Sequence, residues 1–436
     1  MLPTLLCLTG TALAGALPWE VHSTTLDNGM QIRAVPMPTP GVVSVATWMA
    51  VGSRDEVDAG RTGFAHFFEH LMFYGTPSMG RIEREQAVLR MGIDDNAWTW
   101  FDETVYTSLV PSSQLDSFLA MEADRFQNLS LTPEAVRREA GAVYGELRKS
   151  SASPDNRLYS TLQATAFQEH TYGHTTIGHE ADVAAMPDAH SYAADFFDRF
   201  YRPESATLLA VGDVDPDALF ARAEELYSTW TPSTTPRPEL PEEPAWEAPR
   251  RTHVDWPSPT APRLSLGWQI PAHDPRSPDL AALELAGSWL MADVGPLVSR
   301  LVRDESLAYA VWGGRDDFVD PGLFRITVQA REASDLPAIE ALIHEELAAL
   351  AEGPDADALA RVQAHDRYAF LTSMDDPASV ASTLGWALRR DPAPEALDAF
   401  WDNFAAATAD DVARVVRDTL VDAPATVVTL THEEAP

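Results

Sequence analysis

The segment Gly63-Phe64-Ala65-His66-Phe67-Phe68-Glu69-His70-Leu71-Met72-Phe73 contains the pattern HxxEH. On a helix His66 and His70 lie one turn apart on one face, so both imidazoles can reach a single ion. Glu69 projects beside them, offset by one residue, where it can hydrogen-bond a water without ligating the metal. Zinc held by two His and one carboxylate keeps a fourth position open for water, lowers the pKa of that water and polarises a peptide carbonyl. A neighbouring Glu then serves as general base and as proton shuttle to the leaving amine. With 12 His in 436 residues, chance matches to this pattern number on the order of 0.02, so accident is a poor account of it.

Such a site needs a third ligand, and a second helix supplies one. Residues 133–149, PEAVRREAGAVYGELRK, open with Pro and end in basic residues, the marks of a helix start and stop. Glu139 and Glu146 are two turns apart and share a face. Glu146 is assigned as the third zinc ligand, and Glu139 as a carboxylate that supports a ligand or the water. A helix with several Glu is ordinarily a solvated face; the upstream HxxEH reverses that reading.

The elements that position these residues are organised as two halves. Residues 231–250 form a Pro-rich linker, TPSTTPRPELPEEPAWEAPR, in which repeated Pro forbids regular helix or sheet. It separates a catalytic domain, 17–230, from a second domain, 251–436. The halves resemble each other. A helix over 190–200 leads through Tyr201-Arg202-Pro203 into an apolar strand, Ala206 to Val211. A helix over 409–420 leads through Asp422-Ala423-Pro424 into another, Ala425 to Leu430. Strands Val42 to Ala50 and Leu264 to Ile270 open the two halves, each followed by a long helix. The repeat predicts two similar α/β domains. The second has no HxxEH: its first long helix reads PDLAALELAGSWLM over 278–291.

Composition excludes other classes. Thirty-one Lys and Arg against 66 Asp and Glu give a net charge of −35, a surface that repels nucleic acid and anionic lipid. Cys7 is the single cysteine, so there is no intrachain disulfide and no thiolate metal cage. The start of the chain, 1–16, reads as a signal peptide, with Ala12-Leu13-Ala14-Gly15-Ala16 fitting cleavage after Ala14 or Ala16. An exported protein, periplasmic or extracellular, is expected; without cleavage the expectation is cytoplasmic. No later apolar run approaches the ~18 residues that span a bilayer, so no stable membrane insertion is expected. There is no P-loop, dinucleotide fingerprint or serine nucleophile elbow. Glu169, His170, His174 and His179 fit no single helix face and read as a structural loop.

The inverted zinc motif, Glu146 and its companion Glu139 resemble the pitrilysin/insulinase family of metallopeptidases. The likeness extends through Gly92-Ile93-Asp94-Asp95-Asn96-Ala97-Trp98-Thr99, Thr104-Val105-Tyr106, Tyr172-Gly173, Ile177-Gly178, Tyr201-Arg202-Pro203 and Gly212-Asp213-Val214. The resemblance implies an α/β (α+β) fold of two similar domains facing each other as a clamshell, each a mostly antiparallel sheet with helices packed on it. It also implies one Zn2+ per chain and a peptide substrate lying extended along an edge strand at Asn96 and Ala97. Trp98 and Trp100, on one side of that strand by alternation, would either line side-chain pockets or serve ordinary core packing. The second domain is implied to supply an Arg and a Tyr, seven apart, against the substrate. Tyr309 fits; the residue seven before it is Val302, and the nearest arginines are Arg303 and Arg300. Either a small shift restores the contact, with Arg303 as the candidate, or the Arg is missing. Relatives of this size pair as homodimers, or as heterodimers with a related chain lacking the zinc motif. The readings that compete with a zinc endopeptidase are a non-catalytic scaffold subunit of the same fold and a hydrolase of non-peptide amides.

Overall fold

The computed structural model describes residues 15–432; all but the last two residues of the expected signal peptide lie outside that range. The first half builds a six-stranded sheet from β1 (His22–Thr25), β2 (Gln31–Pro36), β3 (Val42–Met49), β4 (Asp94–Thr99), β5 (Thr104–Pro111) and β6 (Ala206–Gly212), in the order β1-β2-β6-β3-β5-β4. The second half builds a five-stranded sheet from β7 (Arg250–Asp255), β8 (Arg263–Ile270), β9 (Ala308–Arg315), β10 (Gly322–Ala330) and β11 (Ala425–Thr431), in the order β7-β11-β8-β10-β9. Without β1 the two orders are the same. In each sheet the first and last strands of this shared order in the chain pair in parallel, β2 with β6 and β7 with β11, and the other pairs, β1 with β2 included, are antiparallel. The repeat in the sequence is therefore a repeat of topology.

The strands carry continuous apolar runs because both faces of each sheet are covered. In β3, VVSVATWM, every residue after the first is buried, the pattern of a central strand packed on both sides. One face of the first sheet carries the helices α1 (Phe64–Leu71), α2 (Arg81–Met91), α3 (Leu115–Asn128) and α4 (Pro133–Ser151), around a core of Phe64, Phe67, Phe68, Tyr106 and Phe126. Its other face receives a helix from the second half, Pro377–Arg390, whose Val380, Leu384 and Leu388 pack on Val35, Leu209 and Val211. The exchange is reciprocal. Helix α5 (Pro154–Ala166) of the first half lays Leu158, Leu162 and Ala166 against Val254, Leu323, Val428 and Leu430 of the second. Each such aliphatic side chain contributes about 1.5–3 kcal/mol when fully buried.

Charge is paired across the same boundary. Buried Glu103 meets Arg390 at 3.0 Å, and Arg389 Nε donates to the Asp102 carbonyl at 3.0 Å. Gly385 faces the Trp48 indole so closely that a Cβ there would stand 2.1 Å from a ring atom.

Residues between Tyr227 and Arg250 form no helix or strand, yet they are strapped down. Trp246 is buried with α5, and the Glu243 carboxylate accepts from the backbone amides of Gln168, Glu169 and His170 and pairs with Arg250. Those bonds also fix the His-rich loop, where His170 Nε2 lies 3.1 Å from Asp320. Helix Pro278–Met291, with its extension to Asp304, is long and apolar enough by composition to cross a membrane. That corrects the expectation that no later apolar run approaches such a length; in the fold its Leu280, Leu283, Leu285 and Leu290 are buried in the second core.

Candidate active site

Helix α1 begins at Gly63, whose φ of +88° is a conformation that favours glycine. No Ser, Thr or Asp caps this end. The buried Glu56 carboxylate does so instead, accepting from the Gly63 and Ala65 amides at 2.7 Å each, and negative charge at a helix N-terminus is favourable. Burial raises the Glu56 carboxyl well above its usual range, against the pull of those amides. Phe64, Phe67, Phe68 and Leu71 turn into the core, with Phe68 stacked on Phe196 at 5.0 Å. That leaves His66, Glu69 and His70 on the open side.

Helix α4 lies against α1. Thr132 caps it by accepting from the Ala135 amide at 3.1 Å, and Val136, Ala140, Val143 and Leu147 anchor it in the core. The remaining face presents Glu139, buried, and Glu146, exposed. Nε2 of His66 and Nε2 of His70 are 3.2 Å apart, and Glu146 Oε2 stands 3.6 Å from the first and 3.5 Å from the second. Ligands about 2.05 Å from a tetrahedral zinc stand about 3.3 Å from one another, so the three atoms fit one ion. Among the described residues this is the single group of three or more His, Cys, Asp or Glu side chains close enough to hold one.

The remaining contacts orient these atoms. His70 Nδ1–H donates to Glu139 Oε1 at 2.9 Å, which leaves the Nε2 lone pair facing His66 and Glu146. Glu139 Oε2 is 3.6 Å from Arg81 on α2. Its hydrogen bond to His70 holds the Glu139 carboxyl below its usual range, against burial. Burial works against charge on His70, but Glu139, Glu69 and Glu146 together raise its pKa. Burial and the neighbouring His70 push His66 down to about 4, which keeps its lone pair free. Two imidazole lone pairs 3.2 Å apart repel each other unless a cation lies between them.

Glu69 sits on the same turn. Its Oε2 accepts from the Thr99 hydroxyl at 2.7 Å, and burial raises its carboxyl above the usual range despite that bond. Thr99 ends β4, the edge strand, which pairs on one side only, with Asn96 opposite Thr107 and Ala97 opposite Tyr106. Ala97 packs toward the first core, while Asn96 is exposed. Of the two readings for the tryptophans, substrate pocket and ordinary packing, the contacts fit packing. Trp98 packs edge-on to Trp48 at 5.3 Å and against Trp386 at 5.9 Å, joining the halves; Trp100 lies beyond the strand, edge-on to Phe101.

Arg303 and Tyr309 belong to the second half. Arg303 is exposed on the helical turn Ser299–Asp304; Tyr309 is exposed on the edge strand β9, with the Arg331 guanidinium 4.6 Å over its ring. Among the described residues neither makes a hydrogen bond or ion pair with the His66–His70–Glu146 cluster. Three contributors escape sequence reasoning. Thr99 stands in a segment already singled out, but its bond to Glu69 needs the strand–helix packing. Glu56 and Arg81 carry no local signal.

Residues 35–180 match the family described as Insulinase (Peptidase family M16), and 192–365 match the Peptidase M16 inactive domain. Zinc protease PqqE of Helicobacter pylori is 27% identical over 376 residues, 83% of this chain and 81% of that protein. An uncharacterized zinc protease of Mycobacterium tuberculosis is 30% identical over 307 residues, 70% of this chain and 68% of the other. The beta subunit of the mitochondrial-processing peptidase of Blastocladiella emersonii is 25% identical over 92% of this chain and 87% of its own. Among solved structures, a protease from Helicobacter pylori superposes with a TM-score of 0.90 at 26% identity, covering 95% of this chain and 99% of that one. A putative M16-like peptidase from Alicyclobacillus acidocaldarius, at 22% identity and a TM-score of 0.83 over 96% and 99% of the chains, shares the fold. On its sequence, its duplicated sheets and these relatives, the chain belongs to the M16 (insulinase) family of peptidases.

Proposed function

We propose that the chain is a zinc-dependent endopeptidase that cleaves peptides or unfolded polypeptide segments. The observation that carries this reading is the triangle of His66 Nε2, His70 Nε2 and Glu146 Oε2, with Glu69 held beside it by the last residue of an edge strand. One Zn2+ per chain, bound by those three atoms, would polarise the scissile carbonyl and acidify a water. Glu69 is the general base and passes the proton to the leaving amine. Glu139 keeps the His70 Nε2 lone pair aimed at the ion, and Arg81 steadies Glu139. The free side of β4, at Asn96 and Ala97, pairs with the extended substrate and sets the scissile bond beside α1.

The ligand cluster is built wholly from the first half. Tyr309 and Arg303 would therefore meet substrate from a second chain, either another copy or a related chain lacking the zinc motif, and such a pair would enclose a chamber. The relative named as a subunit of a processing peptidase fits that arrangement. A complete ligand set with a poised base argues against the scaffold reading, and the free edge strand favours peptides over other amides.

Purified chain, assayed alone on a quenched-fluorescence peptide library, is expected to cleave, and cleavage should stop on chelation and in Glu69→Gln. Zinc bound at about one per chain without cleavage would point to a missing partner chain. No zinc and no cleavage would sink the catalytic reading.

A further inference from the structure

The first described residues are clamped onto the second half. The Ala16 amide donates to the Asp398 carboxylate, and Ala16 is 3% exposed. Leu17, Trp19 and Val21 continue along the apolar cluster of Met374, Val380 and Leu384, and Trp19 Nε1 donates to the Met374 carbonyl at 3.2 Å. Gly15 and Ala16 line a cavity of about 430 Å³ with Asp398 and Asp402, one turn apart on helix Glu395–Ala406, and Arg367 from helix Ala356–Ser373. A Cβ on Gly15 would stand 3.0 Å from Asp398 Oδ1, so the Gly15 Cα already lies against that carboxylate.

The charges lining this cavity do not balance. Half-buried Asp398 and exposed Asp402 share it with one guanidinium, which is stacked between Phe370 and Trp401 at 5.6 and 5.2 Å. One further positive charge would neutralise the set. The residues before Gly15, Ala12-Leu13-Ala14, have the small-x-small form that a leader peptidase cuts.

We propose that leader removal hydrolyses the Ala14–Gly15 bond and that the α-ammonium so formed on Gly15 is bound by Asp398 and Asp402. Water splits the amide. Ala14 departs with the new carboxylate, and the Gly15 amine takes up a proton, its pKa lying near ~8. The same segment offers a second small-x-small cut, after Ala16. That cut would discard a buried residue and its bond to Asp398, and the structure therefore selects the first. In this reading the N-terminus serves as a processing-dependent strap, and the precursor lacks the charge that completes the cavity.

The test begins with the intact mass of the full chain expressed in an exporting bacterial host, where a protein starting at Gly15 is expected. Asp398→Asn is then compared in that chain and in one carrying Met-Ala-Ala ahead of Gly15. The substitution should lower the melting midpoint by about 2 °C more in the processed chain, which alone has the ammonium there. A protein starting at Leu17 or retaining Met1 overturns the proposal, as does an equal shift in both chains. The mass measurement stands even if Asp398→Asn fails to fold.

Discussion

The two halves share one strand order and one edge-strand geometry, yet they use the same place differently. In the first, α1 lies beside the edge strand β4 and turns two imidazoles and a carboxylate outward. In the second, helix Pro278–Met291 lies beside the edge strand β9 and buries eight of its residues, with Glu284 paired to Arg315 at 2.8 Å. Both helices are mostly buried, α1 at six of its eight residues with His66 among them. What differs is that α1 gives buried or half-buried positions to His66, Glu69 and His70, where the other helix has Leu, Ala and Gly. The duplicated fold thus supplies the platform twice, and the chemistry rests on a few side chains that one half has and the other lacks.

The sharpest way to break this comparison is to change one carboxylate in each half. Glu69→Gln keeps the hydrogen bond to Thr99 but removes the base. Peptide hydrolysis should fall at least ~10³-fold with metal content unchanged, beyond the usual 10²–10⁴ range only if the ion is also disturbed. Glu284→Gln should leave kcat/KM within about twofold, since Glu284 meets an arginine and no ligand cluster. Loss of activity in Glu284→Gln would mean that the second half does take part in the chemistry within one chain.

The first half also carries an acid-sensitive histidine. Burial lowers His174 of the first half to about 4 from 6.5, against its bond to the Thr175 carbonyl. The unfolded chain therefore takes up the proton first as pH falls, and stability is lost between pH 6.5 and about 4. The loss amounts to about 3 kcal/mol. Neighbouring Glu56 acts in the opposite sense, because its raised pKa favours the fold once it is protonated. Comparing the pH dependence of urea unfolding with that of His174→Gln isolates the histidine. The substitution should flatten the loss over that window; an unchanged profile would refute the assignment.

How much of this could be read beforehand depended on the range of the interaction. His66, His70 and Glu69 announce themselves because helix periodicity brings i, i+3 and i+4 together. Glu139 and Glu146 announce themselves by the same periodicity on a second helix, and the pairing of the halves by a repeated helix–turn–strand order. What stayed hidden depends on tertiary contact. Glu56 caps α1 from outside the helix, Arg81 reaches Glu139 from α2, and Trp98 faces the second half because Pro377–Arg390 crosses the first sheet. No local spacing encodes that crossing.

Metal retention tests the orientation of the ligands. Glu139→Gln keeps the shape but weakens the acceptor for His70 Nδ1–H, and metal affinity should fall 10–100-fold, with activity restored by added zinc. A loss of activity that zinc does not restore would make Glu139 a participant in the reaction rather than a positioning residue.

Within the site the smallest expected effect falls on Thr99, the residue that joins the edge strand to the base. Its hydroxyl donates to Glu69 Oε2 at 2.7 Å, and burial has already raised the Glu69 carboxyl. Thr99→Val keeps the β-branched shape suited to a strand and removes only the donor, a hydrogen bond to a charged group worth about 1.5–3 kcal/mol at most. Part of that loss is recoverable, because Glu69 is half-buried and can turn toward water. A fall in kcat of about tenfold, with KM and zinc content held, is the expected outcome. A rise in KM with kcat unchanged would instead assign Thr99 to holding the substrate strand, and the contact with Glu69 would then be a by-product of β4 packing on α1.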